Sequence, residues 1–495
     1  MAEEKTSSPE INKEEALEAW LKVKKNGEYP AAHRDEKKVD TYKNSKDEKV
    51  LVNDPYHWLE DPDSKETRAW VNEQVKVTTG YLNECENKEA IHKRIKGMMN
   101  YPRIGCPIKR EAIIIIDITQ DYKIRTVYIF IVTLLLDPNE WSEDGTSSLG
   151  GTYSSDDGEL MAYSIKHSGS DWNEFKIKHM LTGKDSKETL KWCKFTGISW
   201  TPDNAGFFYS RYEPPQKHKE LDPNGTQGTE TEKLSNQMLY YHVVGTEQSE
   251  DVFLLDARSC GDAEWFISPH VSDDGKWLLI FLSPNCDPVN RLYLVKLQDL
   301  DLKSGSNQSN AHLTLKKVMI KLIDNFDNGY HYITNEQNVF YFKTDHNAGN
   351  YRVVSVDITD THSPLVWNEI VSEHKRNRLA DVLCVHKDLL LLNYMEDCQD
   401  TLQLVDLTGK PVKHSIAFPS AGTIVFTGRK TSNEAFFRFT SFLYPGIIYL
   451  YDFHHHSMKI LFEIKVPNFD ASQFVTNQVS MCLLYIYYYY CYLFI

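Results

Sequence analysis

The apolar positions of this chain fall in short runs, each opened by a cluster of turn-forming residues and closed by polar ones. Residues 265–297, WFISPHVSDDGKWLLIFLSPNCDPVNRLYLVKL, carry the pattern most plainly. A turn at Ser272-Asp273-Asp274-Gly275 leads into an apolar run at 277–282, then a polar loop at 283–290 and a second apolar run at 291–296. Asp hydrogen-bonds tight turns and Gly supplies the positive φ that the next strand needs. Both runs are rich in leucine, β-branched and aromatic residues between turn signals, which predicts an antiparallel strand pair over a short buried helix.

The unit recurs. Ser155-Asp156-Asp157-Gly158 opens ELMAYSIKHSGSDWNEFKIKHM, with a hinge at 168–171. Thr201-Pro202-Asp203-Asn204 opens AGFFYSRY, and residues 239–244 supply its return strand. Residues 335–338, 385–388 and 431–434 open three further pairs. These starts lie roughly 45 to 70 residues apart, the period of four-stranded propeller blades with loop insertions. The pattern therefore predicts a mainly β, radial repeat, with a large β-sandwich or two smaller β-domains as the alternative. In residues 110–136 strand propensity persists without a clear central turn, and Asp117, Asp121, Lys123 and Arg125 exclude a membrane helix.

With 495 residues there is material for two or three domains, although a propeller can take up over three hundred residues as one. A hydrophobic fraction of 41% and a charged fraction of 25% suit a globular protein. The net charge of −15 leaves no basic stripe for phosphates, so no nucleic-acid partner is expected. Nine cysteines without a CxxC pair read as free thiols in a reducing compartment. The acidic start lacks a secretory core, which points to the cytoplasm, and residues 13–24 have weak helical periodicity.

Residues 54–63, DPYHWLEDPD, precede a helical stretch, SKETRAWVNEQVKVTTGYLNE, with Ser64 as N-cap and Glu66 and Thr67 in the first turn. DPYHWLEDPDS resembles the N-terminal signature of the prolyl oligopeptidase family, serine peptidases that cut short peptides after proline. Further segments resemble that family in the same order: Leu136-Asp137-Pro138-Asn139, Ser168-Gly169-Ser170-Asp171-Trp172, Cys286-Asp287-Pro288-Val289-Asn290, and Phe439-Thr440-Ser441-Phe442 with Pro445-Gly446. The resemblance implies a seven-bladed β-propeller over an α/β-hydrolase domain that is split in sequence, and the departure at residues 110–136 leaves a degenerate first blade as the expectation. The expected division is an N-terminal extension at 1–28, a helical hydrolase arm at 29–99, the propeller at 100–466, the start of the main hydrolase body at 467–478, and a tyrosine-rich tail at 479–495.

The family's nucleophile sits in a Gly-rich turn between strand and helix, with Asp and His later in the chain. No GxSxG or Gly-Gly-Ser-x-Gly-Gly pattern occurs in these residues, and Gly145-Thr146-Ser147-Ser148-Leu149-Gly150 has the wrong spacing. No catalytic residue is therefore assigned, and a chain truncated within the hydrolase domain is expected. The seventeen uncharged residues of the tail hold six tyrosines, which argue against a membrane anchor and for an aberrant end.

On the propeller side, the resemblance places Phe195, Phe266 and Cys286 in the wall of the substrate pocket, ordinary blade packing being the alternative for each. Ser283-Pro284-Asn285 departs from the Arg-Glu-Gly of many relatives, which puts polar contacts from that loop in doubt. His454-His455-His456 suggests no metal, since neighbours on a strand face opposite ways and no ligand shell is apparent. Residues 217–237 read as a polar loop, with a sequon at Asn224-Gly225-Thr226 that has no use in the cytosol. No cofactor or metal is implied; short proline-containing peptides are the partners expected where the hydrolase domain is present, and the chain is expected to be a monomer. Two functions remain open: the substrate-gating part of a prolyl oligopeptidase, or a non-catalytic propeller that binds peptides or proteins.

Overall fold

In the three turns with the clearest pattern, the same hydrogen bonds start the strands. Ser155 Oγ donates to Asp157 Oδ1 at 2.7 Å, and that oxygen accepts from Glu159 N at 2.9 Å. Ser272 Oγ donates to Asp274 Oδ1 at 2.7 Å, which accepts from Lys276 N at 3.1 Å. Thr201 Oγ1 and Ala205 N converge likewise on Asp203 Oδ1, at 2.7 and 3.1 Å. The residue after each of these carboxylates has a positive φ, +76° at Gly158, +68° at Gly275 and +54° at Asn204. A hydroxyl two residues before the Asp and a Gly or Asn after it thus close a turn that aims the chain back along the preceding strand.

The computed structural model describes residues 29–478, except 45, 47, 63, 112, 121–122, 129–132, 168, 215–233, 303–307, 360–364, 414–415 and 467–468. The expected helix at 13–24, nearly all of the 217–237 loop with its sequon, and the tail at 479–495 lie outside the described residues. The chain divides into two compact units, one ending at Met99 and the other beginning at Asn100.

In the first unit Val39–Lys43 and Lys49–Asn53 form an antiparallel hairpin. The helix α1 (Lys65–Asn83) starts at Ser64, whose side chain accepts from Thr67 N, as its sequence predicts. A second helix, α2 (Lys88–Met99), follows. Trp58 and Trp70 meet edge to face at 6.1 Å, Trp58 Nε1 donates to His33 O at 2.8 Å, and Thr67 Oγ1 donates to Trp58 O at 2.9 Å. The tryptophans are thus half-buried within the arm, whereas Val71 and Val75 of α1 and Ile91, Ile95 and Met98 of α2 are exposed.

The second unit is a β-propeller. Six antiparallel sheets follow one another in plain up-and-down order, at 148–193, 199–256, 266–323, 330–371, 378–406 and 423–463. Five have four strands and the sheet at 378–406 has three. The strand pair expected at 277–282 and 291–296 is Trp277–Ser283 with Arg291–Lys296, in a register running from Trp277 opposite Lys296 to Leu282 opposite Arg291. Its second strands are buried on both faces because each sheet stacks between two others, so they read as continuous apolar runs instead of alternating ones. The cores lie between neighbouring sheets. Trp277 and Leu279 pack with Phe340 and Phe342, while Leu278 and Ile280 pack on the other side with Phe208 and Tyr241.

Six regular blades, not seven, are therefore present among the described residues. The stretch read as a degenerate first blade is a five-stranded sheet at 103–136, outside the plain order. Its inner edge is broken: Arg103–Ile104 pairs with Thr119 and Ile118, and Ile108–Arg110 pairs with residues 113–115 of the same strand. Pro107 has no N–H to offer a ladder, which is the physical reason for the break. Ile115, Leu135 and Leu136 pack against Met161, Tyr163 and Ile165 of the next sheet. Toward the last sheet, Thr427 Oγ1 donates to Pro107 O and Lys109 pairs with Glu434. No helix of the described residues is long and apolar enough to cross a membrane.

Candidate functional site

Phe266 opens the inner strand Phe266–Val271 and stands opposite Ser283 in the register, at the end of the sheet away from the 272–275 turn. Cys286 lies in the loop that follows Ser283, at that same end, and is exposed. Phe195 lies in the connection between Asp185–Cys193 and Ser199–Trp200. It is 51% exposed with φ +53°, and its ring meets that of Phe266 edge to face at 5.4 Å. The structure thus brings Phe195 and Phe266 into contact and puts Cys286 at the same end of the Phe266 sheet.

A residue with no signal in the apolar pattern holds this pair. Gln237 is fully buried, donates to Lys194 O at 2.9 Å, and accepts from Ile267 N at 2.6 Å. One amide therefore ties the Phe195 loop to the strand that carries Phe266. Thr196 Oγ1 accepts from Ser210 N at 2.9 Å and fixes the other side of the loop. Lys194 Nζ lies 5.2 Å from the Phe195 ring centre and 5.4 Å from that of Trp172, which itself is buried edge to face against Trp192 and Tyr212. The result is an aromatic surface suited to stacking on a flat or apolar group, with the Lys194 ammonium beside it already facing Asp171 Oδ2 at 3.9 Å. Beside the Cys286 loop, a cleft of about 370 Å³ is lined by residues that include His270, Phe281, Pro288 and Tyr332. His270 and His331 there are open to water but crowded by protein, and burial holds both imidazoles below their ordinary pKa.

The opposite end, where the 272–275 turn lies, is charged. A cleft of about 790 Å³ there is lined by Asp273, Asp274, Glu336, Lys387 and Lys430 among others. Lys430 Nζ donates to Asn335 O at 2.8 Å and pairs with Glu336, and Arg429 pairs with Asp156 at 2.6 Å. One turn of the last sheet thus reaches two other sheets. The three histidines prove to lie in a turn after Ile447–Asp452, not on a strand, and a carboxylate is close by: His455 Nδ1 is 2.7 Å from Asp452 Oδ2. Hydrogen bonds from the His455 side chain and backbone hold the Asp452 carboxyl down at about 2. Among the described residues, side chains placed to share one ion are Asp40, Asp54 and His57, in the first unit.

Over residues 30–463 the chain matches the family described as prolyl oligopeptidase, N-terminal beta-propeller domain. It is similar to the prolyl endopeptidase of Elizabethkingia meningoseptica, at 30% identity over 438 residues, covering 86% of this chain and 57% of that protein. It is also similar to the prolyl endopeptidase of Dictyostelium discoideum, at 28% identity over 506 residues, covering 91% of this chain and 64% of that protein. Among solved structures, prolyl oligopeptidase B from Galerina marginata bound to a 35mer hydrolysis and macrocyclization substrate superposes with a TM-score of 0.76 at 24% identity, over 92% of this chain and 63% of that one. The chain spans between 57% and 64% of the length of these relatives. A family match that runs through both the arm and the propeller leaves one conclusion: this chain belongs to the prolyl oligopeptidase family, by its N-terminal β-propeller domain.

Proposed function

We propose that this chain is the propeller-bearing, substrate-gating portion of a serine endopeptidase that hydrolyses short peptides on the carboxyl side of proline. The single observation that carries the reading is the family match over residues 30–463 in a chain that spans 57% of its relative from Elizabethkingia meningoseptica. These residues hold no Gly-rich nucleophile turn, so the 495-residue chain alone is expected to be inactive. In this reading residues 29–99 are the arm of the hydrolase domain, 100–466 the propeller and 467–478 the return toward the hydrolase domain. The sheet at 103–136 takes a seventh blade position, which its packing against 161–165 and its bonds to Thr427 and Glu434 support. Phe195, Phe266 and Cys286 line the propeller side of the substrate pocket, a role supported by the Phe195–Phe266 contact. The protein works as a cytoplasmic monomer.

The test is a proline-specific fluorogenic peptide assay on the purified 495-residue chain, beside the mass of the endogenous protein. No turnover by the chain, with an endogenous product well above 57.4 kDa that cleaves after proline, is the expected outcome. Turnover by the 495 residues themselves would overturn it. An endogenous product of 57.4 kDa without cleavage favours the second reading, a non-catalytic peptide-binding propeller. The exposed Phe195, in contact with Phe266, favours that reading too, and titration calorimetry with a proline-containing peptide tests it.

A further inference from the structure

We propose that Asp40, Asp54 and His57 bind a divalent first-row transition ion, with zinc as the best match. His57 Nδ1 lies 3.2 Å from Asp54 Oδ2, 3.4 Å from Asp40 Oδ2 and 3.4 Å from Glu60 Oε2. A ring nitrogen carries at most one hydrogen, so it can serve one carboxylate and not three. The directed bond goes to Asp54. The ligand atoms of Asp40, Asp54 and His57 lie within 4.8 Å of one another, and the 3.2 and 3.4 Å from His57 to Asp54 and Asp40 match neighbouring ligands on one ion, since zinc bonds of about 2.0–2.1 Å to nitrogen and oxygen set such ligands roughly 3.3 Å apart. The nitrogen at the centre of the carboxylates distinguishes this group from an acidic patch, because it supplies the ligand that separates zinc from calcium or magnesium.

Charge leads to the same ion. Lys38 Nζ sits 3.0 Å from Asp40 Oδ1, leaving Oδ2 turned toward His57. Three carboxylates against that ammonium leave two negative charges, which a divalent cation neutralises. The ligand positions are held by backbone: Asp40 pairs with Val52 in the hairpin, Asp54 N donates to Lys38 O at 3.1 Å, and His57 N donates to Asp54 O at 3.3 Å. All three ligands come from residues 40–57, so the site forms with the arm and needs nothing from the propeller. It is independent of the peptidase reading.

The experiment is a zinc titration of the full chain, stripped with EDTA and with its thiols blocked by N-ethylmaleimide, followed by competition with a chelating dye. One equivalent per chain is expected, weakened more than about tenfold by Asp54→Asn or His57→Ala, which remove ligands. His455→Ala, which removes a histidine paired with another carboxylate, is expected to leave the affinity unchanged. Circular dichroism establishes that each variant is folded. Absence of saturable uptake, affinity unchanged in both ligand variants, or equal competition by calcium would each overturn the site.

Discussion

At the scale of single residues, Gln237 does more for the candidate site than its place in the sequence suggests. Its amide bridges Lys194 O and Ile267 N in a fully buried setting. Gln237→Leu leaves the buried Ile267 N–H unpaired, costing roughly 1–3 kcal/mol, and removes the donor to the half-buried Lys194 carbonyl. Urea unfolding is expected to show a loss on that order, and Phe195 is expected to become more mobile. His270 and His331 set a pH dependence. Burial disfavours their charged forms, with Asp273 opposing the effect at His270, and Lys343 reinforcing it while Asp345 and Asp381 oppose it at His331. The unfolded chain therefore binds more protons than the folded one below the ordinary histidine pKa of about 6.5. This contribution to stability is complete above that pH and declines as pH falls through it. His270→Gln with His331→Gln is expected to flatten the slope of melting temperature between about pH 5 and 7. An unchanged slope would show that neither imidazole contributes.

At the scale of elements, the turn that opens each strand pair is specified by three or four residues, which is why it was readable beforehand. Gly275 has φ +68°, and a Cβ there would run into the Pro202 ring of the neighbouring sheet. Gly275→Ala is expected to lose about 1–3 kcal/mol through backbone strain and this clash, read as a lower denaturation midpoint. Ala at Gly145, also at positive φ but with open space around it, is expected to cost less. The expectation for residues 110–136 held in its strands, which are Ile113–Gln120, Lys123–Tyr128 and Thr133–Leu136. The broken inner edge was not foreseen, because Pro107 interrupts a ladder whose pairing is known only once the partner strand is placed. The histidine run was misread in a related way: Asp452 turns the chain there, and that hydrogen bonding does not show in strand propensity.

For the whole molecule, the arm and the propeller differ in how they are held. Each propeller core is shared by two sheets, and Leu279 is fully buried between its neighbours. Leu279→Ala is expected to cost about 2–5 kcal/mol, as large-to-small core changes do. In the arm the two tryptophans are packed, but Ile91, Ile95 and Met98 form an exposed apolar stripe along α2. Limited proteolysis is expected to cut the arm first and leave a propeller fragment beginning near Asn100. Loss of the propeller before the arm would contradict this ordering of stabilities.

By itself the sequence determined the strand pairs, their turns and the radial repeat, since each depends on a few adjacent residues and on apolar runs long enough to be buried on two faces. The family resemblance of residues 54–64 and of the later segments was legible too, and it pointed to Phe195, Phe266 and Cys286. Only the tertiary structure decided that Phe195 and Phe266 touch, that Gln237 joins them, and that Lys430 reaches Asn335. It also decided that the arm tryptophans cover one another and that His57 stands among three carboxylates. Those pairings come from sheet order and from loops closing over tens of residues, where the spacing of polar side chains carries no period to read.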